Sequence, residues 1–277
     1  IRETNRRKTG MAKRSNSTGG KIMTELGGGI VVGIMGQWAS GKSTAAKTLV
    51  SYLGGEDNVV FLTDFACCSG QAVNHILEQE ETKVTTVIED DGRRRLQGEL
   101  ASVWLRPGED LETVDLNAVN FSINDDVMPA WLNRARLELG RQICERSADG
   151  KPIVVEAAFG KNPIDHTISD LFAEFEQAGV EPGMVNWIIV QADYDKRSER
   201  NANRRIGPPV DVFARYAADG GDMGPDAQSR IEERGAIIKR VPNDHDDIGR
   251  FRADVIATFD AVFKGVLPAK TNATCTP

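Results

Sequence analysis

Five short apolar runs recur along this chain, and the residue that closes each one is as informative as the run itself. Gly29 to Met35 leads into Gly36, Asn58 to Thr63 into Asp64, and Pro152 to Val155 into Glu156. Val185 to Val190 and Ala236 to Val241 complete the set. Runs of this length, rich in Val and Ile and lacking strict alternation, suit parallel strands buried on both faces. Between and after them the apolar spacing turns helical, over about 42–54, 128–147, 165–178, 194–205, 225–234 and 246–264. Alternating strands and helices predict an α/β fold of three layers, with about five parallel strands, right-handed crossovers and helices on both faces.

In such sheets ligands collect at the carboxyl ends of the strands. Gly36, Asp64 and Glu156 all fall at those ends. Residues 66–127 break the rhythm. Lys83 to Glu89 and Arg93 to Leu100 flank Asp90-Asp91-Gly92, which predicts a β-hairpin-bearing insertion after strand two. An insertion at this rim either closes over a substrate or decorates the surface.

With 277 residues, 40% of them apolar, the chain can bury one substantial core. The domain is expected over 29–265, ahead of a tail at 266–277. The first 28 residues hold seven Lys/Arg against Glu3 and Glu25, or +5, so the remainder of this −7 chain carries −12. They are polar and lack periodicity, and are expected to be a disordered basic leader. An acidic body disfavours tight, non-specific grip on a duplex without excluding a nucleic-acid substrate. The chain lacks an apolar stretch long enough to span a membrane, and no signal peptide is legible, which reads as cytoplasmic. Cys67, Cys68, Cys144 and Cys275 form neither a disulfide framework nor a metal-ligand spacing and are expected to be reduced.

Residues Gly36-Gln37-Trp38-Ala39-Ser40-Gly41-Lys42-Ser43 spell G-x-x-x-x-G-K-[ST] between an apolar run and the helix-forming segment from Thr44 to Val50. Chemistry explains the residue types. Glycines let successive backbone N–H groups, including those of Ala39, Ser40 and Thr44, turn toward phosphates. Lys42 reaches the outer phosphates, and Ser43 offers a hydroxyl to Mg²⁺. Trp38 either covers a nucleotide or lies on the loop's outer surface.

Asp64 is the candidate base, placed to accept the proton of an attacking hydroxyl or to hold Mg²⁺. Otherwise it caps a helix or turn. Glu156, after four apolar residues, needs a cation, water or donors, and Mg²⁺ coordination or substrate contact would supply them. Arg197, Arg200 and Arg204 recur at spacings of three and four on one helical face, which suits a transferring phosphoryl group or a solvated face.

The order of these parts resembles the nucleoside and nucleotide kinase group of P-loop NTPases. The resemblance runs over about 29–264 and includes Val241-Pro242-Asn243-Asp244 after the last strand. It implies an ATP–Mg²⁺ phosphotransferase with a small nucleoside- or nucleotide-like acceptor. Arg200 and Arg204 would act from a lid at 194–224, and Asn243 would contact the base of ATP. Asp64 would activate an acceptor hydroxyl, or bind acceptor or metal if the acceptor is a phosphate. A kinase of hydroxymethyl-pyrimidine bases in viral DNA is the alternative substrate reading. An NTP-dependent switch is the alternative from another class, although the guanine-reading N-K-x-D pattern is absent.

Overall fold

A strand buried on both faces requires helices on both faces, and β1 (Val31–Gly36) buries all of its residues. The computed structural model describes residues 29–158, 168–203, 213–214 and 225–264. The strands that follow are β2 (Val60–Thr63), β3 (Thr85–Ile88), β4 (Arg94–Gln97), β5 (Ala101–Leu105), β6 (Asn120–Ile123), β7 (Ile153–Ala158), β8 (Asn186–Gln191) and β9 (Ile238–Pro242). The helices are α1 (Lys42–Tyr52), α2 (Asp64–Glu78), α3 (Met128–Ser147), α4 (Ile168–Gln177), α5 (Tyr194–Ala202), α6 (Pro225–Glu232) and α7 (Ile248–Lys264).

The main sheet runs β2-β7-β1-β8-β9 and all its pairings are parallel. Apolar side chains leave it on both faces. Val31, Met35, Val155 and Ile189 meet Leu139 of α3 and Phe175 of α4. Val32, Ile34, Val154 and Ile188 meet Leu49 of α1 and Phe259 of α7 on the other face. The expected three-layer α/β arrangement with a five-stranded parallel sheet is therefore observed, with β1 central and its carboxyl end opening into the Gly36–Ser43 loop. No described helix is long and apolar enough to cross a membrane.

Two local expectations need correction. Glu156 does not end its strand; it sits within β7, in register with Ile34 and Thr63, because Ala157 and Ala158 continue the ladder against Met35 and Gly36. Residues 64–78 form α2, whose buried face includes Cys67, Cys68, Ala72, Val73 and Ile76. The hairpin around Gly92 is present as β3 and β4, but β5 and β6 extend it to a four-stranded antiparallel sheet. Val103, Leu105 and Ile123 pack from that sheet onto Val73 and Ile76 of α2, which supplies the burial that those strands need. Cys67 and Cys68 are free and buried, and Cys275 lies outside the described residues.

The centre of the sheet is packed without slack. Trp187 is fully buried opposite Gly33 and meets Phe172 edge-on at 5.6 Å. A Cβ at position 33 would come within 2.0 Å of the Trp187 ring. Gly33→Ala is expected to cost about 1–3 kcal/mol by overpacking. Urea unfolding should show a lower midpoint with an unchanged slope; an unchanged midpoint would mean that the indole can move aside.

Candidate active site

The loop after β1 is shaped by two close approaches. Gly41 precedes α1 with φ 103°, a left-handed conformation that glycine adopts without a steric penalty, and a Cβ there would meet Asn243 Nδ2 at 2.3 Å. Ala39 also lies in the left-handed region, at φ 63°. It is buried beneath Phe213, which packs with Tyr194. Trp38 is 40% exposed, on the loop's outer side. Helix α1 begins with no side-chain cap and no acidic residue in its first turn, so its leading N–H groups are offered to an anion.

Lys42 and Ser43 converge on one carboxylate. Ser43 Oγ donates to Glu156 Oε1 at 2.6 Å, and Lys42 Nζ lies 3.6 Å from the same oxygen. Glu156 is buried, so this pairing answers the cost of a carboxylate inside a sheet. Asp64 is the first residue of α2 and Thr63 is the cap: Thr63 Oγ1 accepts from Ala66 N at 2.9 Å. The Asp64 carboxylate is left to accept from the Ala158 backbone N–H at 2.6 Å, across the carboxyl end of β7. Burial pushes its pKa above the ordinary aspartate range, and Glu156 pushes the same way. Lys42, the Ala158 N–H and Arg136 pull it down without cancelling the rise.

Two arginines of the predicted face, Arg197 and Arg200, fall among the described residues. Arg197 is buried; its Nε donates to the Ala192 carbonyl at 3.0 Å, its guanidinium lies 5.6 Å from the Tyr194 ring, and burial lowers its pKa. Arg200 Nη2 donates to the His245 carbonyl at 2.9 Å and approaches Asn243 Oδ1 at 3.4 Å. Arg204 and much of 194–224 lie outside the described residues. Asn243, expected at a nucleotide base, is buried and gives its side-chain amide to the Ser40 carbonyl at 2.6 Å. Its backbone N–H donates to Gln191 at 2.7 Å, so Asn243 ties the end of β9 to the loop and to β8.

The structure thus brings Lys42, Ser43, Asp64 and Glu156 to one rim, and Asn243, approached by Arg200, braces the loop. Reading the sequence missed the residues that hold this rim. Asn117 Oδ1 accepts from Thr63 Oγ1 at 2.8 Å, and the Leu116 carbonyl accepts from Ser69 Oγ at 2.6 Å. Asn117 belongs to a long loop with no periodic signal, and only its asparagine hinted at turn chemistry. For a cation, Ser43, Glu156 and Asp64 offer hard oxygen donors. Among the described residues no group of three or more His, Cys, Asp or Glu forms a protein-only cage. Mg²⁺ takes few protein ligands and keeps waters and phosphates, so a hydroxyl with one or two carboxylates fits it.

No protein-family model matches the chain, and no curated protein matches it in sequence. Among solved structures, an unliganded sugar kinase from Janibacter sp. HTCC2649 is 12% identical, with a TM-score of 0.45 over 90% of this chain and 99% of that one. A thymidylate kinase from Ehrlichia chaffeensis is 16% identical, with a TM-score of 0.40 over 83% of this chain and 99% of that one. Neither likeness assigns this chain an activity.

A raised folded pKa means that folded Asp64 keeps its proton where the unfolded chain has lost it. Stability then falls as pH rises from about 4, the unfolded aspartate range, through the folded pKa, and levels off above it. Asp64→Asn removes that loss, so the variant should gain on the wild type across this window in unfolding measurements from pH 4 to pH 8. A wild type that gains on the variant with pH would mean that Lys42 outweighs burial. Asn243→Ala should leave the Ser40 carbonyl unpaired at a cost of about 1–3 kcal/mol. Calorimetric titration with ATP should show at least about tenfold weaker binding; unchanged affinity would remove the bracing role.

Proposed function

We propose that this protein is an ATP–Mg²⁺-dependent phosphotransferase that moves the γ-phosphoryl group to a hydroxyl or phosphate of a small nucleoside- or nucleotide-like acceptor. One observation carries the reading. Lys42 and Ser43, at the uncapped start of α1, share the buried Glu156 carboxylate, while Asp64 stands at the next strand end with a raised pKa.

In this reading the first-turn N–H groups of α1 and the Lys42 ammonium hold the β- and γ-phosphates. Ser43 and Glu156 would hold Mg²⁺, with Asp64 alongside. Bound there, the ion would neutralise phosphate charge. Phosphate and metal would take over the partners that Lys42, Ser43 and Glu156 now find in one another. For a hydroxyl acceptor, Asp64 takes the O–H proton while the oxygen bonds to the γ-phosphorus and the bond to the bridging oxygen breaks, releasing ADP. A carboxylate with a raised pKa is a stronger base for that step. Beside it the Phe65 ring is 43% exposed and lies 5.2 Å from Phe121, tilted by 55°, an apolar surface that favours a base-bearing acceptor. Arg200 Nη1 is buried with no hydrogen-bond partner among the described residues, a donor that a phosphate oxygen would satisfy.

The test is ADP release from ATP–Mg²⁺ against nucleosides, nucleoside monophosphates, small alcohols and hydroxymethyluracil-containing DNA. One class should stimulate release, and Lys42→Ala should lower that turnover by at least about 10²-fold, as loss of a transition-state contact does. Full activity in Lys42→Ala would remove the phosphate-loop assignment. ATP binding without stimulation by any class would favour a switch.

A further inference from the structure

The second sheet carries a cavity that the phosphotransfer site does not use. Strands alternate their side chains between faces. Val103, Leu105 and Ile123 face α2, so Trp104 and its register partners Arg95 and Asn120 face away from it. At one end of that outer face, a cavity of about 500 Å³ opens between the Gly92 turn and the loop joining β5 to β6. Arg93, Trp104, Arg106, Glu109 and Asn120 line it, with Asp91 at its edge.

Its lining is organised. The Trp104 indole is fixed by Nε1–H donating to Glu89 Oε1 at 3.2 Å, and the Arg95 guanidinium lies 5.9 Å from its ring. Arg93 is held through Nε by Asp91 Oδ2 at 2.7 Å, which leaves its two terminal nitrogens as donors. Arg106 is an exposed residue whose backbone N–H donates to Glu109 Oε2 at 2.8 Å. A fixed indole presents a planar face, and two guanidinium groups present forked donors that match phosphate oxygens. The volume is that of an ordinary small-ligand pocket, about 300–1,000 Å³.

We infer that this cavity binds a nucleotide, its base against Trp104 and its phosphate between Arg93 and Arg106, with Asn120 beside the base edge. The two guanidiniums share the cavity with Asp91 and Glu109, so the lining is charge-balanced. That balance suits one phosphate better than the dense charge of a polynucleotide, whose binding rests on a surplus of cations. The same chemistry could present itself as a free mononucleotide or as one unit of a single strand. The site is independent of the phosphate loop.

The test is equilibrium dialysis of the full chain with thymidine 5′-monophosphate, thymidine and a dT10 oligonucleotide, on the wild type, Arg106→Gln and Trp104→Phe. The monophosphate should bind, with thymidine at least about tenfold weaker, and Arg106→Gln should remove one equivalent while ATP affinity at the phosphate loop stays unchanged. Trp104→Phe keeps a stacking face and should retain most of the binding, which separates loss of a contact from loss of fold. Tighter dT10 binding that Arg106→Gln abolishes would keep the chemistry and assign it to a strand. Equal binding of thymidine at the equivalent that Arg106→Gln removes, or a stoichiometry that Arg106→Gln leaves unchanged, would overturn the inference.

Discussion

A carboxylate in the middle of a buried parallel strand is the constraint around which this rim is arranged. Glu156 lies in β7 between β2 and β1, where an unpaired charge would cost several kcal/mol or more. Ser43 and Lys42 supply the missing partners from the first turn of α1. The same contact fixes where α1 begins relative to the sheet. Both partners stand where the loop from β1 runs into α1, so the buried carboxylate and that loop end neutralise one another. The fold therefore holds its reactive groups in place by pairing them with one another.

That arrangement needs support from the other side of β1. Asn243 closes on the Ser40 carbonyl, in space that Gly41 leaves open by lacking a side chain. Arg200 fastens the next stretch through His245, and the Asp193 N–H donates to Asp244 at 2.7 Å, so β8 and β9 end in one hydrogen-bonded knot. Arginines spaced on one helical face suggest a surface that meets the substrate. Arg197 is buried against the Ala192 carbonyl and Arg200 bonds the His245 carbonyl, so both described arginines are anchored through backbone oxygens.

How much was legible follows from the kind of signal each part carries. The strands of the main sheet are continuous apolar runs, and the loop after β1 is a local motif, so both can be read without tertiary information. Helix α3 was equally plain, because Trp131, Ala135, Leu139 and Ile143 recur at helical spacing and all face the core. Helix α2 and strands β5 and β6 were less so, since their apolar faces make sense only against each other: Val103 is an ordinary valine until Val73 and Ile76 are known to cover it. In the site, Asp64 could be named from its position after the second apolar run, and Glu156 as a carboxylate after four apolar residues, although the structure puts it inside β7. Their partners could not. Ala158 contributes a backbone N–H, which no sequence marks, and Asn117 lies 54 residues from the Thr63 hydroxyl it accepts.

The insertion is joined to the site by chemistry as well as by sequence. The loop between β5 and β6 lends Ala118 and Val119 to the outer cavity, while Asn117 and Leu116, its immediate neighbours, bond Thr63 and Ser69 at the start of α2. Thr63 caps the helix whose first residue is Asp64. One short segment thus borders both the cavity and the cap of the candidate base. A shift of this segment large enough to break the Thr63–Asn117 bond would loosen the cap, a contact worth about 1 kcal/mol, and would leave Asp64 held at its carboxylate by Ala158. The second sheet therefore contributes to the position of Asp64 whether or not anything occupies its outer face.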